Sequence, residues 1–151
     1  MIAKKWDIQG TKYTLEIDPE AKFSDGTPIK ARDVVASIKR IVAKKTSLHF
    51  PLWKHVADCE NLKTLNESWN GITGNDEKGI VEILLHTKSE SFLLQLSSPE
   101  GGIWSADDMD PISLNLKPTK FSGAYSLLNL AVDEKKDLIL KRNPYSQVQK
   151  S

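Results

Sequence analysis

Three histidines, one cysteine and a short acidic run carry most of the chemistry that this 151-residue chain has to offer. His49 and His55 lie six apart and His86 falls in a strand-like run. None of them forms the pair one helical turn apart that brings two imidazoles to one metal, so they read as scattered histidines. Asp107, Asp108 and Asp110 crowd carboxylates together, but no glycine turns the centre of that loop and no glutamate closes it, as a calcium loop requires. A solvated acidic loop is the reading. Gly101-Gly102 lacks the Lys-Ser/Thr that follows a phosphate-cradling loop and reads as a helix stop. No serine sits in G-x-S-x-G, and Cys59 falls on an apolar stripe as a small core residue. Nothing here assembles a nucleophile, a base and oxyanion donors, so a non-catalytic protein without cofactor or metal is expected. Binding candidates are aromatic: Phe50, Trp53, Trp69 and Trp104. Each has two readings, an anchor in the core or a wall on which a ligand stacks.

Composition sets outer bounds on these readings. Apolar residues make up 39% of the chain and charged ones 27%, ordinary for a globular domain, and the length suits one domain. A formal net charge of +1 gives no electrostatic case for nucleic acid as a partner. Apolar runs such as Ile83-Leu84-Leu85 are far too short to enter a bilayer as a span. Cys59 alone allows no intrachain disulfide, and the opening Met1-Ile2-Ala3-Lys4-Lys5 turns polar too soon for a signal peptide.

The elements that must position those residues are legible in order. Trp6 to Ile8, a short Gln9-Gly10-Thr11 connection, and Lys12 to Asp18 predict a hairpin, with Tyr13, Leu15 and Ile17 on one face. Asp25-Gly26-Thr27-Pro28 is turn chemistry. After it, Val34, Val35, Ile38, Ile41 and Val42 fall on one stripe of a helix that leaves Lys39 and Arg40 to solvent. Asp33 sits in that helix's first turn, where a carboxylate is favoured. His49-Phe50-Pro51-Leu52-Trp53 is an aromatic loop opening a second helical stretch, with Leu52, Val56, Cys59 and Leu62 or Lys63 at helical spacing. Residues 68–79 are turn-rich around Ile72, and Val81, Ile83 and Leu85 share one face of an interior strand. Phe92, Leu93 and Leu96 predict a short helix, and 103–118 a loop. Two strands close the chain, Tyr125 to Val132 and Lys136 to Arg142.

The string KFSDGTPIKARDVVASIKR, from Lys22 to Arg40, resembles the "K-F-x-D-G-T-P-[LIV]-T-A-x-D-V-x-x-S-[LIW]-x-R" segment of the family 5 extracellular solute-binding proteins. These are the peptide- and nickel-type binding components of ABC importers. Lys30 stands where the family has Thr or Asn, a better N-cap, which predicts a helix weaker by about 1 kcal/mol. Trp6, Ile8, Tyr13, Thr14, Leu15 and Ile17 match the family's opening pattern, and Gly71-Ile72, Asp76, Val81, Ile83 and Leu85 its middle. Gly123 and Tyr125 match its "G-T-G-P-Y", and Arg142-Asn143-Pro144 with Tyr145 approaches its "R-N-P-x-Y", one residue short.

The resemblance implies an α+β piece with a periplasmic-binding-protein-like II fold: a twisted, mainly antiparallel sheet of about five or six strands, two longer helices and one short helix. It implies the smaller subdomain of the first lobe, here residues 1–151, of an exported protein several times longer. That parent captures an oligopeptide or related small solute in the periplasm or at the cell surface. It works with its remaining lobes and an ABC transporter permease, without catalysis, nucleic acid or membrane insertion. The same fold would also serve as the ligand-sensing domain of a regulator or receptor. Near the mouth of the family's cleft an aromatic loop can stack on a bound peptide, which makes His49, Phe50, Trp53 and Trp104 the candidate substrate-binding residues.

Overall fold

The structure, a computed structural model, describes residues 2–45, 53, 55–98, 101–127 and 139–146. Strands β1 (Ala3–Gln9) and β2 (Lys12–Ile17) form the expected hairpin around Gly10-Thr11, in a register that sets Trp6 opposite Leu15 and Ile8 opposite Tyr13. In β2 the alternation holds as read: Tyr13, Leu15 and Ile17 are buried, while Lys12 is exposed and Thr14 and Glu16 are half-buried. Strands β3 (Ile72–Asn75) and β4 (Ile80–Leu84) make a second hairpin, and β4 pairs with β2. The result is a four-stranded antiparallel sheet in the order β1-β2-β4-β3, with β4 in its interior.

Helix α1 (Ala31–Lys44) lies on one face of that sheet. Val34, Ile38 and Val42 face inward with Ala31, and they meet Phe23, Val56, Ile72, Val81, Ile83 and Phe92 in the core. The approach of α1 to β3 depends on Gly74: a Cβ there would stand 2.9 Å from Val35 Cγ2 and 3.2 Å from the Ala31 Cβ. The missing N-cap is replaced twice over. Asp33 reaches back to accept the Lys30 N–H at 2.9 Å, and Asp76, from the turn between β3 and β4, accepts the Arg32 N–H at 2.8 Å. Two of the helix's free N–H groups are therefore satisfied by carboxylates, one of them tertiary.

Several expectations change in detail while the α+β class stands. Trp53 is helical, but past it no α-helix runs through the described residues 55–62. Instead Val56 bridges to Leu85, Asp58 adopts φ 58°, and a 3-10 turn covers Cys59–Asn61. The Ala57 N–H donates to the Leu84 carbonyl at 2.8 Å and the His86 N–H to the His55 carbonyl at 2.8 Å, so sheet-like pairing wins over helical spacing. Val56, Cys59 and Leu62 are buried all the same, which is why their spacing looked helical. The short helix is α2 (Phe92–Leu96). The strands do not form one sheet: β5 (Tyr125–Leu127) and β6 (Leu140–Arg142) pair as a separate two-stranded ribbon, and residues 128–138 of the expected pair lie outside the described residues. Lys39 and Arg40 are not left to solvent. The Lys39 ammonium donates to the Glu67 and Leu65 carbonyls at 2.7 and 3.3 Å, and Arg40 Nε to the Leu114 carbonyl at 2.9 Å.

Candidate functional site

Two features lie close to the candidate residues: an apolar cavity and a loop tied to α1. The cavity, about 530 Å³, has Leu15 and Ile17 of β2 and Val34 and Ile38 of α1 on one side. Trp53, Leu93 and Leu96 line another. Ile2, Ala3 and Trp6 line it too, as do residues 122–124 with Tyr145 and Ser146. Trp53 is only 4% exposed. Its ring meets Phe92 edge-on, centroids 5.8 Å apart at 89°, and Phe92 meets Tyr13 at 5.2 Å and 64°. The Tyr13 hydroxyl donates to the Ser89 carbonyl at 2.6 Å, which gives the buried phenol a partner.

Trp104 lies elsewhere. It is half-buried, edge-on to Phe121 at 6.1 Å and 65°, and is not part of the cavity lining. Its loop is held by a polar row along α1, at positions i, i+4 and i+7. Asp33 Oδ1 accepts the Ala106 N–H at 2.9 Å, Ser37 Oγ accepts the Trp104 N–H at 2.9 Å, and Arg40 holds the Leu114 carbonyl. Asp33, Ser37 and Arg40 are the polar residues of the D-V-x-x-S-x-x-R part of the motif. Here they fasten a loop to a helix. Burial pushes the Arg40 guanidinium down from its ordinary value, and it also lowers the Lys39 ammonium, against which the Glu67 carboxylate works.

Of the four candidate residues, His49 and Phe50 lie outside the described residues; Trp53 lines the cavity and Trp104 does not. Trp69, the further aromatic candidate, is buried with its Nε1 donating to the Ala57 carbonyl at 2.6 Å, an anchor in the core. The acidic residues serve the loop that carries them. Asp108 accepts the Thr119 N–H and hydroxyl at 2.8 and 2.6 Å, Asp110 Oδ1 accepts the Ser113 and Ile112 N–H groups at 2.7 and 3.0 Å, and Asp107 pairs with Arg32 at 3.2 Å. The Ser113 N–H, with the Ser113 hydroxyl and Ile112 N–H behind it, holds the Asp110 carboxyl below its ordinary value. Among the described residues no group of three or more His, Cys, Asp or Glu is gathered as for a metal ion, and none of the helices is long and apolar enough to cross a membrane.

Sequence reading missed what Tyr145 and Lys22 do. The Tyr145 ring lies over the turn at Gly26, where φ is +87° and a Cβ would stand 3.1 Å from the Tyr145 hydroxyl and Cζ. The Lys22 ammonium sits 5.8 Å from that ring's centroid. Buried Asn143 joins the two weakest motif matches: its Nδ2 donates to the Gly123 carbonyl at 2.8 Å, and its backbone N–H to the Ala124 carbonyl at 2.8 Å. The partial matches at 121–125 and 142–145 were the available signal.

Comparison with known proteins agrees with this architecture. The family described as bacterial extracellular solute-binding proteins, family 5 Middle, matches residues 1–150, and the chain belongs to that family. It is 26% identical over 156 residues to the periplasmic oligopeptide-binding protein OppA of Escherichia coli (strain K12), covering 95% of this chain and 27% of that protein. Over 99 residues it is 28% identical to the periplasmic murein peptide-binding protein MppA of the same strain, 65% of this chain and 17% of that protein. Among solved structures, it superposes with a TM-score of 0.76 on a periplasmic oligopeptide-binding protein (OppAIV) from Borrelia burgdorferi, at 25% identity, covering 97% of this chain and 31% of that one. The chain thus spans about a quarter of the length of OppA.

Proposed function

We propose that this chain is the smaller subdomain of the first lobe of a binding protein that captures oligopeptides outside the cytoplasmic membrane and delivers them to an ABC importer. The observation that carries this reading is the family match over residues 1–150, together with similarity to an oligopeptide-binding protein along 95% of the chain. The mechanism is closure of two lobes on the solute by hinge motion, with no bond made or broken. An extended peptide is held through its backbone and through pockets for its side chains, and most of those contacts come from the remaining lobes. From this subdomain His49, Phe50 and, on the fastened loop, Trp104 contribute stacking surface, while Trp53 is buried against Phe92. The ties of Asp33 and Ser37 to residues 104–106 support that role by fixing the Trp104 backbone.

Titration calorimetry of the complete polypeptide with a mixed di- to pentapeptide library tests the reading. Saturable heat at micromolar peptide or below is expected. Absence of heat with every peptide pool contradicts it.

A further inference from the structure

His55 and His86 look unrelated in sequence, yet the fold sets them face to face. Val56 and Leu85 form an isolated antiparallel bridge. Two backbone bonds frame it: the His86 N–H donates to the His55 carbonyl and the Ala57 N–H to the Leu84 carbonyl, each at 2.8 Å. In that register His55 stands opposite His86. Val56 and Leu85 are buried in the core, so the alternation of an extended pair turns both histidines to the outer side, and both are exposed.

Residues opposite one another in an antiparallel pair hold their Cβ atoms about 4.5–5.5 Å apart. From that spacing two imidazoles can each place one nitrogen about 2.0–2.1 Å from a single zinc ion. A helix achieves this at i and i+4, whereas a bridge does so at any separation along the chain, and that is why the spacing of the histidines hid it. Neither ring has a hydrogen bond or ion pair with a described residue.

The backbone beneath the two rings is already fixed. Trp69 Nε1 donates to the Ala57 carbonyl at 2.6 Å, the Leu85 N–H to the Thr11 carbonyl at 2.9 Å, and the Tyr13 hydroxyl to the Ser89 carbonyl at 2.6 Å. Ligands carried on a rigid frame lose little freedom on binding. The pair is also separate from the apolar cavity, whose lining includes neither histidine.

We propose that His55 and His86 together bind a divalent transition-metal ion of the zinc(II) type on the outer side of the Val56–Leu85 bridge. Imidazole favours such an ion over magnesium and calcium, which take oxygen ligands. Two protein ligands leave its remaining positions to water. One ligand comes from each side of the bridge, so the ion staples residues 55–57 to the end of β4 and stabilises the folded chain by mass action. The inference is independent of peptide capture.

Calorimetric titration of the complete polypeptide, free of any histidine tag, with zinc chloride tests it. Saturable heat is expected, from a site that His55→Ala and His86→Ala each weaken by about 10-fold or more. His86→Cys is expected to keep the site, because a thiolate also binds zinc, and buried Cys59 takes no part. That variant separates a lost ligand from a lost fold. Zinc is also expected to raise the urea midpoint of the natural sequence and not that of either alanine variant. An absence of saturable heat overturns the proposal, as does zinc heat unchanged by either alanine substitution. So does a His86→Cys variant that binds no better than His86→Ala, or magnesium heat that the alanine variants abolish.

Discussion

Asp33 is 2% exposed and uses both carboxylate oxygens on backbone N–H groups, one at its own helix start and one 73 residues away at Ala106. Hydrogen bonds to an ionised group contribute about 1.5–3 kcal/mol each, and removing the carboxylate leaves two donors without it. Asp33→Ala is expected to lower stability by about 2–4 kcal/mol in urea unfolding, and Asp33→Asn by less because its carbonyl oxygen keeps one bond. Carboxylates at turns add an acid dependence. Asp110, held down first by the Ser113 N–H, and Asp25, whose bonds from Thr27 outweigh the opposing effect of burial, both lie below the ordinary 3.8. The folded chain keeps them ionised in acid where the unfolded chain binds protons. Their contribution is complete above that value and is lost as pH falls through the lower folded values. Thermal melts at about pH 5, 4 and 3 are expected to decline less in Asp110→Asn than in the natural sequence. Of Asp33, the helical half was legible from its place in the first turn. The Ala106 half was not, because no local pattern announces a partner so distant.

At the scale of elements, the close contact of α1 with β3 depends on a missing side chain. Gly74→Ala puts a methyl carbon 2.9 Å from Val35 Cγ2, so overpacking of about 1–3 kcal/mol is expected. Val35→Ala removes that neighbour, and the double variant Gly74→Ala/Val35→Ala is expected to recover most of the loss over the Val35→Ala single, in a double-mutant cycle by urea unfolding. Additive losses would contradict the contact. Elements written in local signals came through: the alternation of β2, the turn at Gly26, and the stripe of α1 all appear where their residues put them. The segment 55–62 did not, since its apolar spacing fits a helix equally well and its true partner, Leu85, pairs from a distant strand. Separation of β5 and β6 from the main sheet was likewise invisible, because a strand's sequence names its faces and not its neighbours.

The whole molecule is a scaffold with part of its apolar surface uncovered. Its cavity draws on both hairpin strands, α1, α2 and the segments near Gly123 and Tyr145, and no stretch of sequence contains it. That is why sequence reading found aromatic candidates but not the cleft that Trp53 helps to line. The motif residues Asp33, Ser37 and Arg40 turned out to fasten a loop, so the most recognisable segment of the chain serves architecture. On the proposed reading, capture of a solute belongs to a longer protein; this chain spans about a quarter of the length of OppA. Calorimetric titration of the 151-residue chain on its own with the di- to pentapeptide library tests that claim most directly. No saturable heat is expected up to millimolar peptide; micromolar binding by the chain alone would contradict the account.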